Sequence, residues 1–208
     1  MQNLTIIPGA SDADIAGWLE QHLAAALNSA AGGGKIAITV PGGSTPFPIF
    51  AELAGAGLDW SRIALWPGDD RVVDESHPAS NAGRIRPILE PLGATVIPLG
   101  EKAHPPHFAL TWLGMGADGH IASLFPNTDP QTDDPQSVRR LTPDPLPPEA
   151  PFDRLTLTIP ALLNTDEVLF VLRGEEKRAL FEAAMRGEND LPVARLLRAV
   201  RQPVTCFC

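Results

Sequence analysis

The chain has 208 residues with 16 basic and 25 acidic side chains, so its formal net charge is −9 at neutral pH. With 44% hydrophobic and 20% charged residues, its composition is typical of globular proteins and excludes intrinsic disorder and collagen-like repetition. The length predicts one domain spanning residues 1–208. The acidic balance argues against a nucleic-acid-binding protein, whose footprint is normally basic, but it leaves open a small anionic ligand held by local donors.

The two cysteines, Cys206 and Cys208, are separated by one residue, so they cannot cross-link distant elements. No further metal ligand lies near them in sequence, and we predict reduced thiols rather than a zinc site. The first seven residues lack the basic segment that opens a signal peptide, and no apolar run approaches the ~18 residues of a membrane span. These features predict a cytoplasmic protein.

Apolar residues recur at strand or helix spacing along most of the chain. In chain order they predict strand 4–7, a helix from Ser11 to about residue 30, strand 35–40, helix 46–54, strand 63–66, a polar loop 67–80 and helix 81–91. Strands 94–97 and 108–113 follow, then a proline-rich irregular excursion over 126–151, strands 155–159 and 168–172, helices 175–185 and 193–200, and strand 204–207. Ser11 and Asp14 match a variant of the helix capping box.

The alternation of strands and helices predicts an α/β fold. Its architecture would be a doubly wound, mostly parallel sheet of Rossmann type, with helices on both faces. In such sheets, ligands bind outside the carboxyl ends of the strands. Three loops that leave predicted strands carry unusual residues, and we examined them as parts of one site.

The first loop is Gly42-Gly43-Ser44-Thr45, between strand 35–40 and the next helix. Its glycines let backbone N–H groups approach an anion, its hydroxyls add donors, and the following helix contributes the positive end of its dipole. The loop is a candidate phosphate site, although the same residues also fit a tight turn.

The second loop begins Gly68-Asp69-Asp70-Arg71 and continues to Ser80-Asn81. Two carboxylates beside an arginine, directly after an apolar strand, fit either a solvated turn or a polar cluster at the mouth of a site. In the second case Arg71 is the anion clamp, because a guanidinium binds phosphate or carboxylate through a planar fork of donors.

The third loop, from Gly114 to His120, contains three glycines and places Asp118 two residues before His120. A loop histidine can take a proton from water at neutral pH, and a neighbouring carboxylate can orient its ring. A single loop histidine also fits an ordinary surface position, but the glycine-rich strand exit favours a general base.

Together, the loops resemble the motifs of the 6-phosphogluconolactonase family, in the glucosamine/galactosamine-6-phosphate isomerase superfamily. The matching segments are Gly-Gly-Ser-Thr-Pro at 42–46, Asp-Asp-Arg at 69–71 with Ser-Asn at 80–81, and Leu-Gly-Met-Gly-Ala-Asp-Gly-His-Ile-Ala-Ser-Leu-Phe-Pro at 113–126. Further matches lie at Arg154–Thr158 and Gly174–Lys177. Two features depart from the family: Asp70 replaces its usual Glu, and the connection 98–107 is short where family members normally carry a helix.

The resemblance implies hydrolysis of 6-phospho-D-glucono-1,5-lactone to 6-phospho-D-gluconate in the pentose phosphate pathway. It implies that His120 activates water, that Asp118 supports His120, and that Arg71 or the backbone amides of 114–119 stabilise the oxyanion. It assigns the substrate phosphate to Gly42, Gly43, Ser44, Thr45, Arg71, Lys177 and Arg154. The phosphorylated lactone is the expected partner, without metal, cofactor, nucleic acid or membrane, and the chain is expected to be a monomer or a small homo-oligomer.

Two alternative functions remain open. One is deamination and isomerisation of an amino-sugar phosphate, but the related deaminases continue their histidine motif as Ile-Ala-Phe-Asn-Glu-Pro, whereas this chain has Ser-Leu-Phe-Pro at 123–126. The other is a sugar-phosphate sensor without catalytic activity. Such regulators usually carry a DNA-binding segment, and this chain is acidic and begins with a predicted sheet strand.

Overall fold

The computed structural model describes residues 3–146, 148 and 151–208, and strands and helices alternate along most of this chain. The elements in chain order are β1 (Leu4–Ile7), α1 (Asp12–Ser29), β2 (Ile36–Val40), α2 (Pro46–Leu53), β3 (Ile63–Pro67), β4 (Asp69–Arg71), α3 (Asn81–Leu89), β5 (Thr95–Val96), β6 (Leu110–Leu113), β7 (Val138–Leu141), β8 (Arg154–Leu157), α4 (Ile159–Leu162), β9 (Val168–Val171), α5 (Glu175–Met185), α6 (Pro192–Ala199) and β10 (Val204–Phe207).

The main sheet has seven strands in the order β1-β10-β9-β6-β2-β3-β5, and every neighbouring pair is parallel. From β2 the chain builds outward to β3 and β5, then returns to place β6 on the other side of β2. The order therefore changes direction between β2 and β6, which is where α/β sheets open a crevice for ligands. The predicted α/β fold with a mostly parallel sheet is confirmed.

Each face of this sheet carries its own hydrophobic core. On β2, Ile36, Ile38 and Val40 pack with α1, α2 and α3, while the intervening Ala37 joins the core formed with α4, α5 and α6. Helix α1 presents one apolar face to the sheet through Ile15, Leu19, Leu23 and Leu27. Its N-terminus has the predicted capping box, in which the side chains of Ser11 and Asp14 each bond the other residue's backbone N–H. Helices on both faces are thus confirmed.

Three short strands form a second, antiparallel sheet in the order β4-β8-β7. The sequence predicts a strand at 155–159, but the predictions of a loop over 67–80 and an irregular excursion over 126–151 were wrong where β4 and β7 lie. Residues 147, 149 and 150 of that excursion lie outside the described residues. Both missed strands are short and largely charged, and they are held by pairing with β8, so their own sequences lack the alternation that predicts a strand.

The short connection from β5 to β6 crosses the sheet without a helix. It passes β3 and β2 on the face that carries α4–α6, and Leu99 and Phe108 on it are buried in that core. Its ends are fixed by backbone hydrogen bonds from Ile97 N–H to Leu65 O (2.9 Å) and from Ala109 N–H to Ala37 O (2.8 Å). A segment with a single turn, closed by a hydrogen bond from Ala103 N–H to Gly100 O (2.9 Å), therefore makes the parallel crossover.

In the part of the chain that the structure describes, no helix combines the length and apolar character needed to cross a bilayer.

Candidate active site

The three loops singled out in the sequence converge where the strand order changes direction. A cavity of about 280 Å³ opens at this carboxyl edge of the sheet. Each loop contributes to its wall, and so does α5; the predicted site residues found there are Gly42, Gly43, Ser44, Thr45, Arg71, His120 and Lys177. The fold thus brings together residues separated by more than a hundred positions in sequence.

The first of these loops, residues 42–45, is called the anion loop below. Gly42 packs so closely on the Asn81 side chain that a Cβ would lie 1.9 Å from Asn81 Cγ, so only glycine fits. Gly43 and Ser44 are exposed, and the backbone N–H groups of Gly43, Ser44 and Thr45 donate no hydrogen bond within the described chain. These donors precede the N-terminus of α2, an arrangement suited to binding an anion.

Arg71, at the end of β4, is held by neutral acceptors. Its Nη1 donates to Ala79 O (3.0 Å) and to Asn81 Oδ1 (2.8 Å). Its Nε is buried and has no hydrogen-bond partner in the described chain. No carboxylate of the described residues lies within ion-pair distance of the Arg71 guanidinium. A guanidinium fixed in this way keeps its charge available for an anion in the cavity.

Asp70, the departure from the family motif, anchors helix α3 and lies off the cavity wall. Its carboxylate accepts from the backbone N–H groups of Arg71 (2.8 Å), Asn81 (2.6 Å) and Ala82 (2.9 Å). Burial raises the pKa of Asp70, although the three donors act in the opposite direction. The shorter side chain therefore reaches its backbone partners and ties the start of α3 to β4.

His120 and Asp118 form a hydrogen-bonded pair in the third loop. Asp118 Oδ1 lies 2.6 Å from His120 Nδ1, and this hydrogen bond lowers the pKa of Asp118. With Nδ1 held as the donor, Nε2 is the nitrogen left to accept a proton. Phe125 packs against the imidazole with a centroid separation of 4.8 Å.

Gly116 makes this pair possible. A Cβ at Gly116 would lie 2.2 Å from both Cε1 and Nδ1 of His120 and 2.6 Å from the Asp118 carboxylate. Its N–H donates to His120 O (2.9 Å), which closes the loop on itself. Ala122, on the cavity wall, has a φ of 48°, a conformation that costs a non-glycine residue about 1–2 kcal/mol. Backbone strain thus lies beside the general-base candidate.

Lys177 lines the cavity from the first turn of α5, but Arg154 does not reach it. Arg154 is only 3% exposed in β8, directly opposite Arg71 of β4. Burial, and then the charge of Arg71, lower the pKa of Arg154. Arg154 therefore lies outside the cavity wall, beside Arg71, and its predicted role in binding the phosphate stays a prediction.

Several wall residues had no role predicted from the sequence, among them Asp69, Asn81 and Arg173. The Asp69 carboxylate accepts a short hydrogen bond from Ser123 Oγ, and Asn81 Nδ2 donates to Asp69 O (2.7 Å). Arg173 binds Ala10 O (3.0 Å) and the Asp12 carboxylate. Asp69 and Asn81 lay inside recognised motifs, whereas no local signal in the sequence marks Arg173.

Among residues 3–146, 148 and 151–208, no group of three or more His, Cys, Asp and Glu side chains is arranged to hold a metal ion.

Comparison with known proteins gives the family of the chain. The model of the Glucosamine-6-phosphate isomerases/6-phosphogluconolactonase family matches residues 10–91 and 92–205. The chain belongs to this family. One curated relative, the 6-phosphogluconolactonase of Pseudomonas aeruginosa, is 37% identical in a gapped alignment 214 positions long that covers 91% of this chain and 89% of the relative. The 6-phosphogluconolactonase of Neisseria meningitidis serogroup A is 33% identical in a gapped alignment 195 positions long that covers 83% of this chain and 84% of the relative.

A solved structure supports the fold assignment to this family. The 6-phosphogluconolactonase from Shewanella baltica superposes with a TM-score of 0.81 over 99% of this chain and 97% of the other, at 23% sequence identity. The short β5–β6 connection therefore leaves the family fold intact.

Proposed function

We propose that this chain is a 6-phosphogluconolactonase, which hydrolyses 6-phospho-D-glucono-1,5-lactone to 6-phospho-D-gluconate in the pentose phosphate pathway. The relatives described above carry that name at 33% and 37% identity over most of both chains. The observation that carries the proposal is that His120, hydrogen-bonded to Asp118, lines the same cavity as the unpaired N–H groups of the anion loop and the cations Arg71 and Lys177. Such a site offers a base for an ester and donors for a phosphate.

His120 acts as the general base. Its Nε2 accepts a proton from a water molecule as the water oxygen attacks the lactone carbonyl carbon. Asp118 holds the Nδ1–H, fixes the tautomer and stabilises the imidazolium that forms. The tetrahedral intermediate then breaks its bond to the ring oxygen, and the imidazolium returns the proton to that oxygen. A δ-lactone is a reactive ester, so activated water suffices as the nucleophile.

The carbonyl oxygen gains negative charge in this step, and Arg71 is the donor that the contacts favour. The N–H of Gly116 is bonded to His120 O, the N–H of Gly119 to Gly116 O (3.1 Å), and the N–H of His120 to the Asp118 carboxylate (3.2 Å). These three amides are occupied within the loop, whereas the N–H groups of Met115 and Ala117 donate no hydrogen bond within the described chain and stay candidates beside Arg71. The Arg71 guanidinium retains unused N–H groups on the cavity wall, where a fixed positive charge stabilises an oxyanion without reorganising.

The substrate phosphate binds to the anion loop. The free N–H groups of Gly43, Ser44 and Thr45 and the two hydroxyls of this loop provide donors, and Lys177 provides a mobile positive charge. Local binding of this kind matters because the whole chain is acidic, with a net charge of −9. The long-range field repels a dianion, so the attraction arises within the cavity.

The residues after His120 favour hydrolysis over amino-sugar deamination. Ser123 bonds the Asp69 carboxylate on the cavity wall, and Phe125 packs on the His120 ring. Both residues belong to the Ser-Leu-Phe-Pro continuation, and this segment contributes no carboxylate to the site. A deaminase needs acidic groups to move protons between the amine and neighbouring carbons. Here the Asp69 carboxylate on the wall is engaged by Ser123, and the continuation adds no further acidic group.

The test follows the disappearance of freshly generated 6-phosphogluconolactone against its spontaneous hydrolysis, with and without the purified chain. We expect saturable acceleration by the protein and no ammonia release from glucosamine 6-phosphate. Ammonia release with no acceleration of lactone loss would instead establish the deaminase. Tight binding of sugar phosphates without turnover of either compound would establish a sensor.

The enzyme is further proposed to act in the cytoplasm. Cys206 and Cys208 are both free thiols, the state that reducing compartments maintain. Localising the tagged chain by microscopy tests this proposal, and a signal confined to another compartment would contradict it.

A further inference from the structure

Arg84, on helix α3, lies directly behind the anion loop. Its Nη1 donates to Gly42 O at 3.0 Å, and its guanidinium carbon lies 4.2 Å from the centre of the Phe47 ring in α2. Arg84 therefore joins α3 to the start of the anion loop and to the helix that follows it. Arg84 is not part of the cavity wall, so any effect on substrate passes through the groups that it contacts.

The backbone geometry of the loop gives this contact a consequence. A trans peptide is planar, and its C=O and N–H point in opposite directions. Because Arg84, which is not on the cavity wall, holds Gly42 O, the N–H of Gly43 in the same peptide points away from Arg84. Asn81 packs against Gly42 so closely that this peptide has little room to move.

The charge of Arg84 is also uncompensated. Burial and the charge of Arg71 both lower the pKa of Arg84, which places two like charges near each other. Within the described chain neither arginine lies within ion-pair distance of a carboxylate, whereas Arg86, two positions further along α3, pairs with Glu75 and Glu90. Two unpaired, partly buried arginines are costly unless an anion binds between them and the neighbouring donors.

We propose that Arg84 is a positioning residue for the substrate phosphate, which fixes the Gly42–Gly43 peptide and adds positive charge behind Arg71. This inference rests on the proposed function for its substrate. It adds to that function a residue outside the shared sequence motifs, and it predicts that loss of Arg84 weakens phosphate recognition while leaving the chemistry of His120 intact.

The test compares Arg84→Met with the control Arg86→Met, which removes an arginine of the same helix that faces carboxylates. With 6-phosphogluconolactone, R84M is expected to raise KM roughly tenfold with kcat within about twofold of wild type. With unphosphorylated glucono-1,5-lactone, R84M and wild type are expected to have equal kcat/KM. R86M is expected to match wild type with both substrates.

A second variant, Arg84→Gln, keeps a donor for the Gly42 carbonyl and loses the charge. If Arg84 acts by positioning the peptide, R84Q is expected to have a KM between those of wild type and R84M. The R84Q variant also allows the measurement if R84M folds poorly. An unchanged KM in R84M, or an equal loss with both substrates, would overturn the proposal. The dissociation constant for inorganic phosphate, measured by calorimetry on wild type and both variants, tests Arg84 even if the wild type fails to hydrolyse the lactone; equal constants in all three would also overturn it.

Discussion

At the scale of single residues, the chemistry depends on how one imidazole is held. The hydrogen bond from His120 Nδ1 to Asp118 fixes which nitrogen faces the cavity, and it keeps Asp118 ionised because it lowers the pKa of that carboxyl. The pair is partly exposed, with 32% of the His120 side chain and 51% of the Asp118 side chain accessible. Its value is therefore orientation of the base more than folding stability.

Replacement of Asp118 by Asn is expected to lower kcat about 10–100-fold with little change in KM. The amide cannot neutralise the imidazolium, and it can turn its NH2 toward Nδ1 and so favour the wrong tautomer. Steady-state kinetics on the lactone measure this effect. A kcat within a factor of two of wild type would mean that Asp118 has no part in orienting the base.

Replacement of Gly116 by Ala is expected to displace the same pair by steric clash, since the new Cβ would lie 2.2 Å from the His120 ring. We expect a loss in kcat of at least about 100-fold, because a base moved by ~1 Å loses its geometry. Gly17→Ala is the matched control: Gly17 lies in α1 with open space around it, and alanine there stabilises the helix by about 1 kcal/mol. Normal activity in G116A, by direct assay, would contradict this account of the loop.

At the scale of elements, helix α3 supports the site through its first turn. Asp70 fixes the backbone of that turn, Asn81 packs under Gly42, and Arg71 is held from Asn81. The helix therefore couples the second loop to the anion loop. Its apolar face, including Ile85 and Leu89, packs in the core with α1 and α2.

Asp70→Asn tests this coupling. Asparagine has one acceptor oxygen in place of two, so at least one buried backbone N–H is left without a partner, at a cost of about 1–3 kcal/mol. The free energy of unfolding from urea titration is expected to fall by that amount, and KM for the lactone is expected to rise as α3 loosens. Asp133→Asn, an exposed aspartate without a hydrogen-bond partner in the described chain, serves as control with a change within about 0.5 kcal/mol. Equal stability of the two variants would refute the anchoring role.

Long elements with a regular apolar pattern could be predicted from the sequence, and short polar ones could not. Helix α1 shows helical spacing in Leu19, Leu23 and Leu27, and strand β2 is a continuous run of β-prone and small residues, Ile-Ala-Ile-Thr-Val. Strand β4 is Asp-Asp-Arg, and β7 is Val-Arg-Arg-Leu, so each looks like a loop until β8 pairs with it. Strands β4 and β7 form because they pair with β8, and the strand propensity of their own residues does not predict them.

At the scale of the whole molecule, the order of the strands in the sheet could not be predicted from local sequence patterns. The motifs containing Ser44, Arg71 and His120 could be recognised one by one, and the carboxyl-edge rule placed them at one edge. Their convergence on a single cavity follows from β6 returning beside β2. The same topology places Arg154 beside Arg71 and brings in Arg173, and no spacing in the sequence indicates either outcome.

The folded chain is expected to lose stability in acid. Side-chain hydrogen bonds lower the pKa of seven carboxyls, namely Asp14, Asp74, Asp118, Asp134, Asp153, Glu188 and Asp190; Asp70 shifts the opposite way because it is buried. A carboxyl with a lowered folded pKa stabilises the fold above its unfolded pKa of about 4, and this contribution disappears as the pH falls through the folded value. Urea unfolding should therefore give a lower free energy near pH 3 than near pH 6. A free energy that rises on acidification would contradict this.

The most direct test of the whole account is the kcat of His120→Asn on freshly generated 6-phosphogluconolactone. Asparagine retains the size and a hydrogen-bonding group but cannot accept the proton from water. With the fold verified by circular dichroism and phosphate binding preserved, kcat is expected to fall by about 10²–10⁴-fold with KM nearly unchanged. A variant that retains more than about a tenth of the wild-type kcat would contradict the assignment of His120 as the general base.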